Sequence, residues 1–94
     1  MDKFIEEHRN AIRQLAIKRG ALRVRLFGSL ARGDGGPQSD VDLLVDLEEG
    51  RSALALGGIL MDLQELLGRR VDVVTPAALH PDIRKKVLEQ AVDL

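Results

Sequence analysis

The chain has 94 residues, of which 45% are hydrophobic and 31% are charged, with a formal net charge of −1 and no cysteine. A near-neutral charge and only two aromatic residues argue against a nucleic-acid surface, which needs a basic excess and rings on which bases stack. The missing cysteines exclude disulfides, thiolate metal sites and cysteine nucleophiles. The length predicts a single domain over residues 1–94. No signal peptide and no apolar run of about 20 residues is visible, so we expect a cytoplasmic protein without contact to a membrane.

The N-terminal part of the chain predicts a helix followed by a strand. Apolar residues recur at 3.6-residue spacing over residues 2–19, with Asp2 in the position of an N-cap. Residues 22–27 predict a strand in which Leu22, Val24 and Leu26 alternate with Arg23, Arg25 and Phe27. Gly28 ends this strand.

A short helix and a turn-rich link lead into the second strand. The helix is predicted over residues 29–32, the glycine-rich link over 33–39 and the strand over 40–47. Side chains alternate along a strand, so Asp40 and Asp42 project from the same side.

The next helix is predicted over residues 52–67, because six apolar residues fall within one arc of about 120° and form a core face. These residues are Leu56, Ile59, Leu60, Leu63, Leu66 and Leu67. Leu54 and Met61 fall on the opposite side, near Gly57 and Gly58, where a second helix could pack. Scattered surface apolar residues without a partner are the alternative.

The C-terminal part predicts a third strand over residues 71–75 and a last helix that begins at Pro81, with Ile83, Val87, Leu88 and Ala91 facing inward. Residues 92–94 either fray or add a short extended end. Helical and strand patterns alternate throughout, which is typical of an α/β or α+β domain.

Three acidic residues form the first half of a candidate site. Asp40 and Asp42 lie about 7 Å apart along one side of a strand, and without a cation they repel each other. Mg²⁺ is the cation that one or two carboxylates normally bind together with substrate phosphates. Asp72 stands alone among valines and can face the same cluster if its strand lies beside the second one. Three carboxylates around two metal ions suit nucleotidyl transfer, and Asp72 can also accept a proton from the attacking hydroxyl.

The turn after the first strand forms the second half of the candidate site. Gly28 lets the backbone approach phosphates closely because it carries no Cβ. If Ser29 begins a helix, free N–H groups and the serine hydroxyl face the anion. Arg32 follows three residues later and can bind phosphate with two nitrogens. These residues predict a nucleotide-binding turn opposite the acids.

The run Gly28-Ser29, followed ten residues later by Asp40-Val41-Asp42, resembles the signature of the DNA polymerase β-like nucleotidyltransferase superfamily. Its wider context is similar to the minimal nucleotidyltransferases, a small prokaryotic branch, over almost the whole chain. The resemblance implies a nucleotidyltransferase core of class α/β (α+β-like), with a small mixed sheet of about three strands and about four helices. It also implies Mg²⁺, ATP as substrate and AMP transfer. Asp40 and Asp42 would then be metal ligands, Asp72 the third acid, and Ser29 a contact of the triphosphate.

Two functional classes remain open. Minimal nucleotidyltransferases often accompany a helical HEPN protein and act as antitoxins, so the resemblance implies AMP transfer to a hydroxyl, such as that of a tyrosine, on a HEPN-type toxin. The alternative is a non-catalytic antitoxin or nucleotide-sensing module that neutralises its partner by contact. Larger family members carry a second helical domain that this chain has no room for. A partner protein or a homodimer would therefore complete the site, and transfer to a small molecule is disfavoured.

Overall fold

The computed structural model describes residues 2–94 and is built on a four-stranded mixed sheet. In chain order the elements are α1 (Lys3–Lys18), β1 (Ala21–Phe27), α2 (Ser29–Arg32), β2 (Val41–Leu47), α3 (Ala53–Leu67), β3 (Val71–Val74), a short 3-10 helix (Pro76–Ala78), α4 (Pro81–Gln90) and β4 (Val92–Asp93). The strand order is β3-β2-β1-β4; β2 and β3 are parallel, and the other two pairs are antiparallel. The predicted fold class is confirmed, with one strand more than expected because residues 92–93 join the sheet. No helix in the described range is long and apolar enough to cross a membrane.

α1 begins and ends where its sequence pattern predicts. The Asp2 carboxylate accepts a hydrogen bond of 3.1 Å from the N–H of Ile5 and so satisfies one of the free donors of the first turn. Gly20 follows the helix with φ of +101°, a conformation that other residues rarely adopt. The side chains of Ile5, Ile12 and Ala16 are buried against the sheet.

A β-bulge in β1 places Leu22 differently from the prediction. Ala21 pairs with Leu47 and Arg23 pairs with Asp46, so two steps along β1 match one step along β2. The extra residue, Leu22, leaves the alternation of the strand and is 67% exposed. The expectation that Leu22 alternates in step with the buried Val24 and Leu26 is therefore wrong, because simple alternation cannot anticipate a bulge.

α3 matches its predicted range closely. The Ser52 hydroxyl caps its start by accepting a hydrogen bond from the N–H of Leu54, and Gly68 ends it in the left-handed conformation. Most of the predicted face packs into the core, but Leu66 is 40% exposed because it lies at the edge of the apolar arc. Leu54 and Met61 project into solvent, being 85% and 66% exposed.

The two faces of the sheet are covered unequally. α1 and α3 share one hydrophobic core with the inward residues of β1 and β2. β3 and β4 lie at opposite edges, so the segment between them, which contains α4, has to cross the sheet. Leu44 is buried on the face opposite the main core, which identifies the face that this segment crosses. Of the four residues of this segment that were predicted to face inward, Val87 and Ala91 are partly buried. Ile83 is 49% exposed and Leu88 is also exposed, so the expectation is wrong for these two.

Candidate active site

The three acidic residues singled out above lie at the same end of the sheet. Asp42 is the second residue of β2, and Asp40 immediately precedes that strand. In the parallel pairing of β2 and β3, Asp72 is the register partner of Asp42. Paired residues on neighbouring strands project to the same face, so the Asp72 side chain lies beside that of Asp42. Asp72 is exposed, whereas Asp42 is half-buried.

The glycine turn packs directly against this cluster. Phe27, the last residue of β1, pairs with Asp42, and Gly28 follows with φ of +75° and ψ of −157°. That backbone region is accessible essentially to glycine alone. A Cβ at Gly28 would also overlap Oδ2 of Asp42. Glycine is therefore required twice, by the backbone conformation and by the close approach of the carboxylate.

Ser29 organises the segment that follows the turn. Its carbonyl oxygen accepts hydrogen bonds from the N–H groups of Gly33, Asp34 and Gly35, at 3.0, 3.2 and 3.1 Å. A Cβ at Gly35 would lie only 2.8 Å from Oγ of Ser29 and 3.0 Å from Oγ of Ser39. The link over residues 33–39 therefore folds tightly back onto the start of α2.

Arg32 is exposed near the acids. Its Nε lies 3.3 Å from a carboxylate oxygen of Asp34, and its positive charge partly opposes the rise in the pKa of Asp42 that burial and the neighbouring acids cause. The guanidinium is therefore within electrostatic range of the acid cluster. An exposed ion pair of this kind contributes little stability, so Arg32 can exchange Asp34 for an incoming anion.

Burial raises the pKa of Asp42, and the negative charges of Asp72 and Asp40 raise it further. The positive charge of Arg32 opposes these effects only in part. Burial and the two negative charges disfavour the ionised carboxylate of Asp42, because desolvation and like charges both destabilise an anion. An added cation would remove the repulsion.

The raised pKa of Asp42 predicts how stability depends on pH. A folded-state pKa above the usual value of 3.8 means that the folded protein binds this proton more tightly than the unfolded chain. Stability from this group is thus gained as the pH falls through the folded pKa, and is absent at neutral pH. In metal-free buffer we expect Asp42→Asn to melt at or above the wild-type temperature at pH 7. The difference should shrink towards about pH 4, as thermal unfolding of both proteins across this range would show.

A fourth acid on the same side of β2 does not join the cluster. Asp46 lies at the other end of the strand, where Oδ2 is 3.4 Å from an Nη2 of the buried Arg25. Asp40 has a looser partner, since its Oδ1 lies 3.7 Å from Nε of the exposed Arg70. Asp46 is thus committed to a structural ion pair, whereas Asp40 remains accessible.

The donor set suits a hard cation. Within residues 2–94, no three histidine, aspartate or glutamate side chains are grouped closely enough to form a metal site by themselves. Mg²⁺ does not require such a cage, because it is usually bound by one or two carboxylates with substrate phosphates and water. Asp42 and Asp72 offer adjacent carboxylates, and the unrelieved repulsion at Asp42 favours a cation there. The metal-ligand and catalytic roles of Asp40, Asp42 and Asp72 stay a prediction, as do the phosphate-binding roles of Gly28, Ser29 and Arg32.

Sequence reasoning missed two basic residues at this end of the sheet. Arg69 and Arg70 immediately precede β3; Arg70 approaches Asp40, and Arg69 donates hydrogen bonds to the link that carries Ser39. The available signal was the adjacent arginine pair directly before the strand of Asp72. Only the structure shows that Arg69 turns towards the link and that Arg70 turns towards Asp40.

Comparison with known proteins gives a consistent result. The model of a family described as "Nucleotidyltransferase domain" matches residues 5–94. The chain is 39% identical over 90 residues to "Putative protein adenylyltransferase MJ0435" of Methanocaldococcus jannaschii, covering 96% of this chain and 97% of that protein. It is 36% identical over 92 residues to "Protein adenylyltransferase MntA" of Thermococcus cleftensis, and the match covers 98% of this chain and 90% of that protein.

Two solved structures share the fold. One, described as "Structure of putative minimal nucleotidyltransferase", superposes with a TM-score of 0.87 at 44% identity, over 100% of this chain and 97% of the other. The second is a toxin–antitoxin complex with AMP-PNP, with a TM-score of 0.76 at 23% identity. The superposition covers 89% of this chain and 69% of the other. At 23% identity this likeness shows a shared fold only.

Proposed function

Because this chain belongs to the nucleotidyltransferase domain family, a family of enzymes, we propose that it transfers AMP from ATP to a hydroxyl group on a partner protein. The observation that carries the proposal is the contact between the glycine turn and the acids: Gly28 packs against Asp42, which lies beside Asp72. A turn that can bind phosphate, in direct contact with a pair of carboxylates that can bind a cation, suits a nucleoside triphosphate with its metal ion.

Each predicted residue then has a role that its position supports. Backbone N–H groups at Gly28 and Ser29 face the phosphates, and the exposed Arg32 binds them in place of Asp34. Asp42 and Asp72, with Asp40, would hold Mg²⁺, which supplies charge stabilisation for the phosphate oxygens when bound.

The chemical step uses the exposed carboxylate of Asp72. The acceptor hydroxyl oxygen forms a bond to the α-phosphorus while the bond from that phosphorus to the bridging oxygen breaks, so pyrophosphate leaves. The hydroxyl proton passes to Asp72, whose exposure gives an acceptor from outside the domain access to it. A buried base could not serve a macromolecular acceptor in this way.

The acceptor we propose is a tyrosine or similar hydroxyl on a HEPN-type toxin, which this chain would neutralise as an antitoxin in the cytoplasm. Relatives named as protein adenylyltransferases and a fold neighbour solved as a toxin–antitoxin complex support this assignment. The site is open on the side of Asp72, so a partner protein, or a second copy of the chain, would complete it.

The decisive experiment uses two labels. The protein is incubated with Mg²⁺, its purified helical partner and ATP carrying ³²P in either the α or the γ position. AMP transfer labels the partner from α-labelled ATP only, and EDTA abolishes the signal. Label from the γ position would indicate phosphoryl transfer. If the partner's toxicity is suppressed although it takes up no label from either nucleotide, neutralisation by contact replaces the enzymatic proposal.

A further inference from the structure

Arg69 links three parts of the molecule at the candidate site. Its Nη2 donates hydrogen bonds to the carbonyl oxygens of Gly36 and Ser39, at 2.9 and 2.6 Å. The guanidinium carbon lies 4.9 Å from the centre of the Phe4 ring in α1. Its Nε is buried and meets no acceptor among residues 2–94. A buried donor without a partner costs free energy. The two hydrogen bonds of Nη2 and the contact between the guanidinium and the Phe4 ring offset this cost.

The bond to Ser39 acts one peptide away from the acid cluster. The Ser39 carbonyl belongs to the peptide group that carries the nitrogen of Asp40, and a peptide group is planar. Fixing the direction of this carbonyl therefore fixes the direction in which the chain enters Asp40. The next residue, Val41, is held in turn by its N–H donating to the carbonyl of Arg70 at 2.9 Å.

The bond to Gly36 fastens the other end of the same turn. The N–H of Ser39 donates to the Gly36 carbonyl at 3.0 Å, and the N–H of Gly36 donates to Oγ of Ser39 at 2.9 Å. The neighbouring Gly35 packs against the hydroxyl of Ser29. One guanidinium thus holds a turn that touches the phosphate-binding turn at one end and Asp40 at the other.

We propose that Arg69 is a positioning residue for nucleotidyl transfer, which sets the Ser29 turn and Asp40 at their working separation. This inference rests on the proposed function for its kinetic consequence, but its structural part, the ordering of residues 36–39, is independent of that function. Arg69 acts through the Gly36 and Ser39 carbonyls and not by direct contact with the reacting atoms.

The kinetic test compares Arg69→Met with Arg69→Lys. Loss of both hydrogen bonds in Arg69→Met is expected to lower kcat about 100-fold, with the KM for ATP within about threefold of wild type, because misplacement of a reacting group acts mainly on the transition state. Both bonds come from one nitrogen, so the lysine ammonium can replace them, and Arg69→Lys should retain kcat within about tenfold of wild type. Arg13→Met, a change at an exposed arginine of α1, serves as the control and should leave both constants unchanged.

A second measurement needs no nucleotide. Hydrogen exchange at the amides of Gly36 and Ser39 should accelerate about tenfold or more in Arg69→Met, while amides in the middle of α1 keep their protection. If Arg69→Met fails to fold, Phe4→Leu keeps an apolar side chain against the core but removes the ring that contacts Arg69 and His8, and it should accelerate the same two amides by a smaller factor. Unchanged exchange at residues 36 and 39, or a wild-type kcat in folded Arg69→Met, would overturn the inference. If the wild-type protein transfers no AMP at all, the proposed function fails, and the exchange result still decides whether Arg69 orders the turn.

Discussion

Replacing Asp42 with asparagine is expected to abolish AMP transfer, with a loss in kcat/KM of about 1,000-fold or more. Asparagine keeps the shape of the side chain but removes the negative charge that would bind the cation between protein and phosphates. Asp42 is the central member of the cluster, since it lies beside Asp72 and in contact with the Gly28 turn. The measurement is transfer of ³²P from α-labelled ATP to the partner, over at least three orders of magnitude in enzyme concentration.

Stability measurements show whether this loss is chemical or structural. Burial and the charges of Asp72 and Asp40 raise the pKa of Asp42, so its ionised form destabilises the metal-free protein at neutral pH. Asp42→Asn should therefore melt at or above the wild-type temperature in EDTA. A clear decrease in melting temperature would show that Asp42 serves the fold, and the assignment of the site would have to be abandoned.

Asp46→Asn is the matched control, because it is the same change on the same side of the same strand. Asp46 is paired with the buried Arg25, so its replacement should cost about 1–2 kcal/mol of stability while AMP transfer stays within about threefold of wild type. The two variants thus predict opposite results: Asp42→Asn loses activity and keeps stability, and Asp46→Asn loses stability and keeps activity.

Gly28→Ala is expected to have the second largest effect, a loss of about 100-fold or more in AMP transfer. The added Cβ would overlap Oδ2 of Asp42, and the backbone would have to leave a region that only glycine occupies without strain. Both the turn and the carboxylate must then move, so the phosphate site and the cation site change together. We expect a stability loss of about 1–3 kcal/mol from the backbone strain, measured by denaturant unfolding.

Gly50→Ala separates backbone strain from the contact with Asp42. Gly50 also has a positive φ, +86°, but a Cβ there meets no atom within 4 Å among the described residues. It lies in the connection between β2 and α3, at the end of the strand away from the acids. This variant should lose about 1 kcal/mol and keep its activity at temperatures where it is folded. Equal activity losses in both glycine variants would mean that strain alone explains the effect, and that the turn is not part of the site.

Local features of the chain predicted most of the secondary structure. The caps at Asp2 and Ser52 and the glycine stops at Gly20 and Gly68 determine where α1 and α3 begin and end, since each acts through bonds to residues a few positions away. Predictions failed where distant residues decide burial. The bulge at Leu22 depends on the pairing with β2, and the exposure of Ile83 depends on how loosely α4 crosses the sheet.

The sequence by itself predicted the candidate site from a glycine-serine turn and the closely spaced Asp40 and Asp42, because turn conformation and strand alternation are properties of a few neighbouring residues. In the structure β2 begins at Val41, one residue later than predicted, so Asp40 lies just before the strand. Only the tertiary structure decided that Asp72 lies beside Asp42, that Asp46 is taken by Arg25 and that Arg69 holds the link between the two halves of the site. These contacts join residues about 20 to 30 positions apart. Their register follows from how the strands and helices pack around the core, which no local pattern encodes.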